Sequence, residues 1–187
     1  MTPALKPATY QDVVDAPEGM IAEIIDGNLQ LQPRPAPSHA RACSLLSARL
    51  ISSFGSDFDG NGPGGWVIVF EPELHLHKDI VVPDLAGWRI ERYATPDEAF
   101  WTLPPDWCCE ILSPATQTID RIAKSALYAR EGVGFYWLID PVEKWIEAFE
   151  LLPNSQWALV GVFAGDEGAR IRPFDAIELP MPKLWGH

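Results

Sequence analysis

The stretch DWCCEILSPATQTIDRIAKSALYA, residues 106–129, indicates the fold and places an acidic residue, Glu110, inside an apolar run. Its apolar run from Trp107 to Leu112 predicts a buried strand. A helix is then expected from about Gln117 to Glu131, with Gly132 as the residue that ends it. Glu110 lies inside the strand, where an ionised carboxylate is costly unless a cation lies beside it. The rest of the sequence should therefore supply a positive partner for Glu110.

Turn signals and apolar periodicity predict further elements on both sides of this stretch. Asp26-Gly27 joins two apolar segments and predicts a hairpin near the N-terminus. Ser38 is expected to cap a helix whose apolar face packs on the sheet. Asp140-Pro141 predicts a second hairpin, and ARIRPF, residues 169–174, predicts an edge strand. Together they predict an α/β fold: a mixed central sheet flanked by helices, with additional N-terminal and C-terminal β-hairpins.

Composition narrows the class of protein. The chain has 187 residues, 47% of them hydrophobic, which is typical of a single domain over 1–187, with a loose tail over 1–8. A formal charge of −12 repels nucleic acid and anionic membranes, although a local basic groove or bound cations can reverse that field. No segment has the length of a signal peptide or membrane span, so a cytoplasmic protein without a membrane partner is expected. The three cysteines are too few for a disulfide framework and are expected to be reduced and buried.

Three acidic residues occupy apolar strand segments, and they could share one role. They are Glu23 in the first hairpin, Asp84 in IVVPDLAG, and Glu110. Any one of them could be an ordinary structural acid held by hydrogen bonds. Three that converge would repel one another, and a divalent cation with oxygen ligands relieves that repulsion. The pattern therefore favours a site for Mg²⁺, with Mn²⁺ as a substitute.

The order of several short motifs resembles the Uma-type family of putative restriction endonucleases, within the PD-(D/E)XK nuclease superfamily. The motifs are AEIIDGNLQ, PSHARA, VVPDLAG, EILSPAT and DRIAKSALYAREGVGFYWLIDP. The resemblance implies a restriction-endonuclease-like fold, metal-binding acids at Asp84 and Glu110, and a catalytic lysine at Lys124. It leaves Glu23 as an added acid and His39 as a recurrent histidine whose role the sequence does not give. It is also consistent with a homodimer.

The position of the lysine departs from the superfamily pattern. Members usually carry it two residues after the acid, where this chain has Leu112, so the resemblance moves it to Lys124 on the following helix. The alternative is that Lys124 and Asp120, four residues apart, form an exposed helix pair worth about 0.3 to 0.5 kcal/mol. The two readings differ in whether Lys124 is buried.

The leading functional prediction is a metal-dependent endonuclease that hydrolyses DNA phosphodiester bonds. Asp84 and Glu110 would hold the cation, Lys124 would act on the water or the phosphate, and Glu23 would complete the metal shell. Two alternatives stay open. The chain could be a non-catalytic interaction or regulatory module that keeps the nuclease fold, which its negative charge favours. It could also be a metal-dependent hydrolase of a small phosphate ester, which a small closed pocket would favour.

Overall fold

The computed structural model of the chain describes residues 6–56 and 62–185. Most of the tail predicted over 1–8, and part of the Gly-rich loop that SDFDGNGPGG predicts over 56–65, lie outside the described residues. Four α-helices and one π-helix accompany ten strands in this part of the chain. In chain order these elements are α1 (Tyr10–Val14), β1 (Met20–Ile25), β2 (Asn28–Pro33), α2 (Pro37–Phe54), β3 (Trp66–Phe70), β4 (Leu74–Leu76), β5 (Asp79–Val81), β6 (Leu85–Arg89), β7 (Trp107–Ile111), the π-helix (Ile119–Lys124), α3 (Ser125–Arg130), β8 (Phe135–Asp140), β9 (Trp145–Leu151), β10 (Trp157–Ala164) and α4 (Met181–Leu184).

The strands divide between two sheets. A six-stranded sheet has the order β10-β9-β8-β7-β6-β3, and its only parallel pair is β7 with β8. A four-stranded antiparallel sheet has the order β2-β1-β5-β4 and contains the N-terminal hairpin. The predicted α/β fold with a mixed sheet and terminal hairpins is therefore confirmed, with the N-terminal hairpin placed in the smaller sheet beside β5 and β4.

The central strands β6, β7 and β8 of the larger sheet are buried on both faces, which explains why β7 reads as a continuous apolar run. Successive strand side chains point to opposite faces. Cys109 accordingly packs with α2 side chains such as Leu46 in one core, while Cys108 packs with Tyr128 of α3 in a second core. The second core also contains Leu76 from the small sheet. Strand β7 of the larger sheet thus lies between α2 on one side and α3 with the small sheet on the other.

Two helices differ in detail from the sequence prediction. The helix expected to be capped by Ser38 begins at Pro37, and Ala36 is its N-cap residue. Proline suits that first position because its fixed φ matches the helix and its missing N–H would have no helical partner. The helix expected over 117–131 is a π-helix that continues into α3. Gly132 ends it in the left-handed region, at φ +77°, as predicted.

The prediction of an edge strand over residues 169–174 is wrong. This segment forms only an isolated bridge between Ala169 and Leu179. Its apolar side chains Ile171 and Phe174 instead pack into the core beside α2. The alternation that suggested a strand therefore reflects burial of a loop segment.

All three cysteines are free and buried. The helices of the described residues are all too short or too polar to cross a bilayer.

Candidate active site

The strand register places Asp84 and Glu110 opposite each other. In the antiparallel pairing of β6 with β7, Leu85 lies across from Cys109. Asp84 precedes Leu85 by one residue and Glu110 follows Cys109 by one, so continuing the register brings the two acids to the same face. The backbone N–H of Ile111 donates to Asp84 Oδ2 at 2.7 Å, which fixes the Asp84 carboxylate at the end of β7. Asp84 itself lies in the bend before β6.

Lys124 is the cation that meets Glu110. Its Nζ lies 2.9 Å from Glu23 Oε1, 3.1 Å from Glu110 Oε1 and 3.7 Å from Asp120 Oδ1. The Lys124 side chain is only 2% exposed, and the three carboxylates are buried with it. The alternative of an exposed helix pair is therefore wrong. We call these four residues the Lys124 cluster.

The Lys124 cluster holds three acids and one base, and this imbalance shapes its pKa values. Burial raises the pKa of Glu110 well above its ordinary value, and the nearby acids add to that effect against the opposing charge of Lys124. Burial alone would lower the pKa of Lys124, but Glu110, Glu23 and Asp120 together raise it well above its ordinary value. Burial also raises the pKa of Asp120 to about 6. Lys124 is therefore charged, and the surplus negative charge favours either a proton or a further cation.

Glu23 is fully engaged by the protein. Its Oε2 accepts a hydrogen bond from Gln32 Nε2 at 2.6 Å, and its Oε1 accepts one from the backbone N–H of Val82 at 2.7 Å in addition to Lys124. Glu23 has no exposed surface. This arrangement suits a residue that holds Lys124 in place, while a direct role of Glu23 in binding a cation stays a prediction.

Asp84 and Glu110 differ from Glu23 because each keeps one free oxygen. Asp84 Oδ2 contacts Ile111 and His39, and Glu110 Oε1 contacts Lys124 and accepts a hydrogen bond from Tyr128 Oη at 2.7 Å. Asp84 Oδ1 and Glu110 Oε2 accept no hydrogen bond from the described residues. One or two carboxylates, with water and phosphate oxygens, are what Mg²⁺ prefers. The chemistry of these two acids suits such an ion, although no group of three or more His, Cys, Asp or Glu side chains in the described ranges could hold a metal by itself.

His39 supports Asp84 from the start of α2. Its Nε2 lies 3.1 Å from Asp84 Oδ2, and its buried Nδ1 has no hydrogen-bond partner among the described residues. Burial would lower the pKa of His39, but its hydrogen bond and ion pair with Asp84 outweigh this effect and raise it. The sequence marked His39 without a role, and the structure gives it a direct contact with a candidate metal ligand.

These groups face one cavity of about 240 Å³ between the two sheets and the start of α2. Asp84, Glu110, Lys124, Asp120 and His39 all contribute to its wall. The rest of the cavity wall is formed by two continuous segments and three single residues. These are Gln32–Ala36, Ser113–Thr116, Ile21, Glu71 and Val82.

Two participants in the site were not predicted as site residues. Asp120 was considered only as an exposed partner of Lys124, although its spacing of four residues from Lys124 already placed it on the same helical side. Tyr128 sits four residues after Lys124, and its hydroxyl reaches Glu110. The same spacing argument, applied forwards along the helix, would have found it.

Comparison with known proteins gives the family and the fold of the chain. The sequence profile of the Uma2 family, described as "Putative restriction endonuclease", matches residues 7–182, so the chain belongs to this family. No curated protein matches the chain. A crystal structure from Anabaena variabilis, described as a putative nuclease belonging to DUF820, has the same fold. It is 21% identical with a TM-score of 0.75, and the match covers 96% of this chain and 98% of that one.

Proposed function

We propose that the chain is a metal-dependent endonuclease that hydrolyses DNA phosphodiester bonds at the cavity lined by Asp84 and Glu110. The observation that carries the proposal is the pair of free carboxylate oxygens, Asp84 Oδ1 and Glu110 Oε2, on residues of one cavity wall. A structural acid in a buried site normally has its acceptors satisfied by protein donors. The family description supports the same reaction class.

Asp84 and Glu110 would hold Mg²⁺, or Mn²⁺ in its place. A divalent ion bound there would supply Lewis-acid stabilisation of the charge that develops on the phosphoryl group. The Ile111 N–H and His39 hold the Asp84 carboxylate by one oxygen and leave the other for the ion. Tyr128 and Lys124 hold Glu110 in the same way.

Lys124 would act as the fixed positive charge of the site. Its ammonium has three N–H donors, and Glu23 and Glu110 lie within 3.1 Å of it. The remaining donor can stabilise negative charge on a substrate phosphate or orient a water in the cavity. Because Lys124 is held by buried carboxylates, its charge is in place before substrate arrives, which is the condition for strong electrostatic stabilisation.

A nuclease assay on plasmid and single-stranded DNA with Mg²⁺ or Mn²⁺ tests the proposal. The wild type should cut DNA and lose activity in a chelator, and Asp84→Ala should reduce the rate by roughly two to three powers of ten. Asp79→Asn is the matched control, because Asp79 is also a buried acid but does not line the cavity. Wild-type activity that survives chelation, or that Asp84→Ala leaves intact, would remove metal-dependent hydrolysis at this site.

A second candidate function is hydrolysis of a small phosphate ester, and the limited volume of the cavity favours it. Bis(p-nitrophenyl) phosphate in the same assay separates the two. A hydrolase of small esters should turn over this compound without cutting DNA. A non-catalytic module, which the charge of −12 favours, should do neither.

We also propose a homodimer in the cytoplasm. The edge strand β10 carries no charged residue and exposes Leu159, Val160 and Val162. An uncharged edge of this kind pairs readily with another strand, and an identical copy offers the same one. The free cysteines agree with a reducing compartment. Sedimentation of the wild type beside Val162→Lys would test the dimer, because the lysine should shift it to monomer.

A further inference from the structure

We propose, on the basis of the nuclease function above, that the substrate is an unpaired nucleic-acid strand and that Arg34 binds one of its phosphates at the cavity mouth. The inference rests on the depth of the acids, on the charge of the mouth and on the way Arg34 is held.

The candidate metal ligands lie inside the cavity wall. The side chain of Asp84 is 14% exposed, that of Glu110 3% and that of Lys124 2%. A scissile phosphate must therefore enter a cavity of about 240 Å³, slightly below the usual range of ligand pockets, roughly 300 to 1,000 Å³. A duplex keeps its phosphates on a stiff cylinder, whereas an unpaired strand can turn a single nucleotide away from its neighbours. The depth of the acids favours the unpaired strand.

Among the described residues of the cavity wall, only one basic side chain is exposed. The cavity wall contains three basic residues, of which Lys124 and His39 are buried against carboxylates. Arg34 is exposed and forms no ion pair with any of the described residues. Glu71 on the same wall adds negative charge near it.

Most of the other arginines are engaged within the protein, although Arg41 of α2 is exposed and lies outside the cavity wall. Four are paired with carboxylates, and two donate to backbone carbonyls. They are Arg92 with Asp106, Arg121 with Glu147, Arg130 with Asp79, Arg172 with Glu150, Arg49 with the carbonyl of Glu178, and Arg170 with the carbonyls of Asp175 and Ala176. Proteins that bind duplex DNA commonly contact about 6 to 10 phosphates. This chain has a formal net charge of −12, and its described residues offer no comparable set of free basic side chains. A single strand needs fewer charged contacts.

Arg34 is built into a stiff segment that is tied to the site. Pro33 and Pro35 flank it, and proline fixes the backbone φ on both sides. Gln32, immediately before them, is buried and donates to Glu23 of the Lys124 cluster. The Arg34 guanidinium therefore extends from an anchored backbone, and its planar donors suit the oxygens of a phosphate.

Binding measurements test this proposal without relying on turnover. Fluorescence anisotropy in Ca²⁺ compares a labelled single strand with the duplex made from it. The wild type should bind the single strand at least about tenfold more tightly. Arg34→Ala should weaken single-strand binding by about tenfold, and Arg34→Lys should recover only part of it. Arg49→Ala is the matched control, because Arg49 lies towards the other end of α2 and donates to the Glu178 carbonyl. It should bind like the wild type.

Three results would overturn the inference: equal or tighter binding of the duplex, no effect of Arg34→Ala, or no binding of either strand. Cleavage of the same two DNAs in Mg²⁺ or Mn²⁺ separates this inference from the nuclease proposal. If both DNAs are cut at equal rates, the nuclease function stands and the substrate inference fails. If the single strand binds through Arg34 but is never cut, the substrate inference stands and the nuclease function fails.

Discussion

Two clusters of charge join the same helical segment to the small sheet, and they differ in what they leave unsatisfied. In the Lys124 cluster, Lys124 from the π-helix meets Glu23 from β1. In a second group, which we call the Arg130 cluster, Arg130 from α3 meets Asp79 from β5, with Asp26 and Glu131 beside it. Both Glu23 and Asp79 are completely buried. The pairing of buried acid and helical base is therefore the same in both places.

The carboxylates at the cavity separate the two clusters. Asp79 uses both oxygens, since Oδ1 accepts from the Asp26 N–H and Oδ2 pairs with Arg130. Arg130 is 42% exposed, so water shares its charge. The Lys124 cluster instead adds Glu110, which keeps one free oxygen and faces the cavity with Asp84. Both clusters thus contain an ion pair with a buried acid, so an ion pair alone does not mark an active site. The carboxylate oxygens without hydrogen-bond donors beside a cavity distinguish the candidate active site.

The largest expected effect is on folding, from Lys124→Met. Removing the ammonium leaves Glu23, Glu110 and Asp120 buried without a cation, and breaking a buried pair in this way costs about 3 to 5 kcal/mol. Arg130→Met should cost clearly less, because that side chain is partly solvated. Urea denaturation of both variants measures the difference. Equal losses would remove the contrast between the clusters.

A second effect concerns pH and Asp120. Burial raises its pKa from 3.8 to about 6, so the folded state favours the neutral form. Its contribution to stability is complete below pH 3.8 and is lost as pH rises through about 6, which amounts to at most about 3 kcal/mol. Asp120→Asn should not show this loss and should be more stable than the wild type at neutral pH. Denaturation across pH 4 to 7 decides the point, and parallel curves for the two proteins would contradict it.

The smallest expected effect is from Tyr128→Phe, which removes one hydrogen bond to Glu110. The cost should be about 1 to 2 kcal/mol in stability, with a fall in nuclease rate because Glu110 is less firmly held. Tyr136→Phe is the control, since that hydroxyl donates to the backbone carbonyl of Asp120 and not to a carboxylate. Its stability should fall by a similar amount while the rate is retained. A rate loss shared by both variants would point to general loosening of the core.

The sequence predicted the strand around Glu110 and the burial of α2 well, because both depend on local apolar patterns. It also proposed Asp84, Glu110 and Lys124 as site residues, which stays a prediction, and the structure brings all three to one cavity. It did not predict the division into two sheets, since the pairing of β1 with β5 depends on contacts more than fifty residues apart. It also could not show which carboxylate oxygens are free. Glu23 and Glu110 look alike in sequence, and only the donors Gln32 and Val82 separate them.

The central claim is that Asp84 and Glu110, with their free oxygens, bind a divalent cation, while Glu23 and Asp79, whose oxygens are satisfied by protein donors, hold the structure. Calorimetric titration of Mg²⁺ and Mn²⁺ into the wild type, Asp84→Asn and Asp79→Asn tests it most directly. We expect binding to the wild type and to Asp79→Asn, with a rise in Tm on adding the ion, and loss of both signals in Asp84→Asn. No binding to the wild type, or the same binding to Asp84→Asn, would contradict the account.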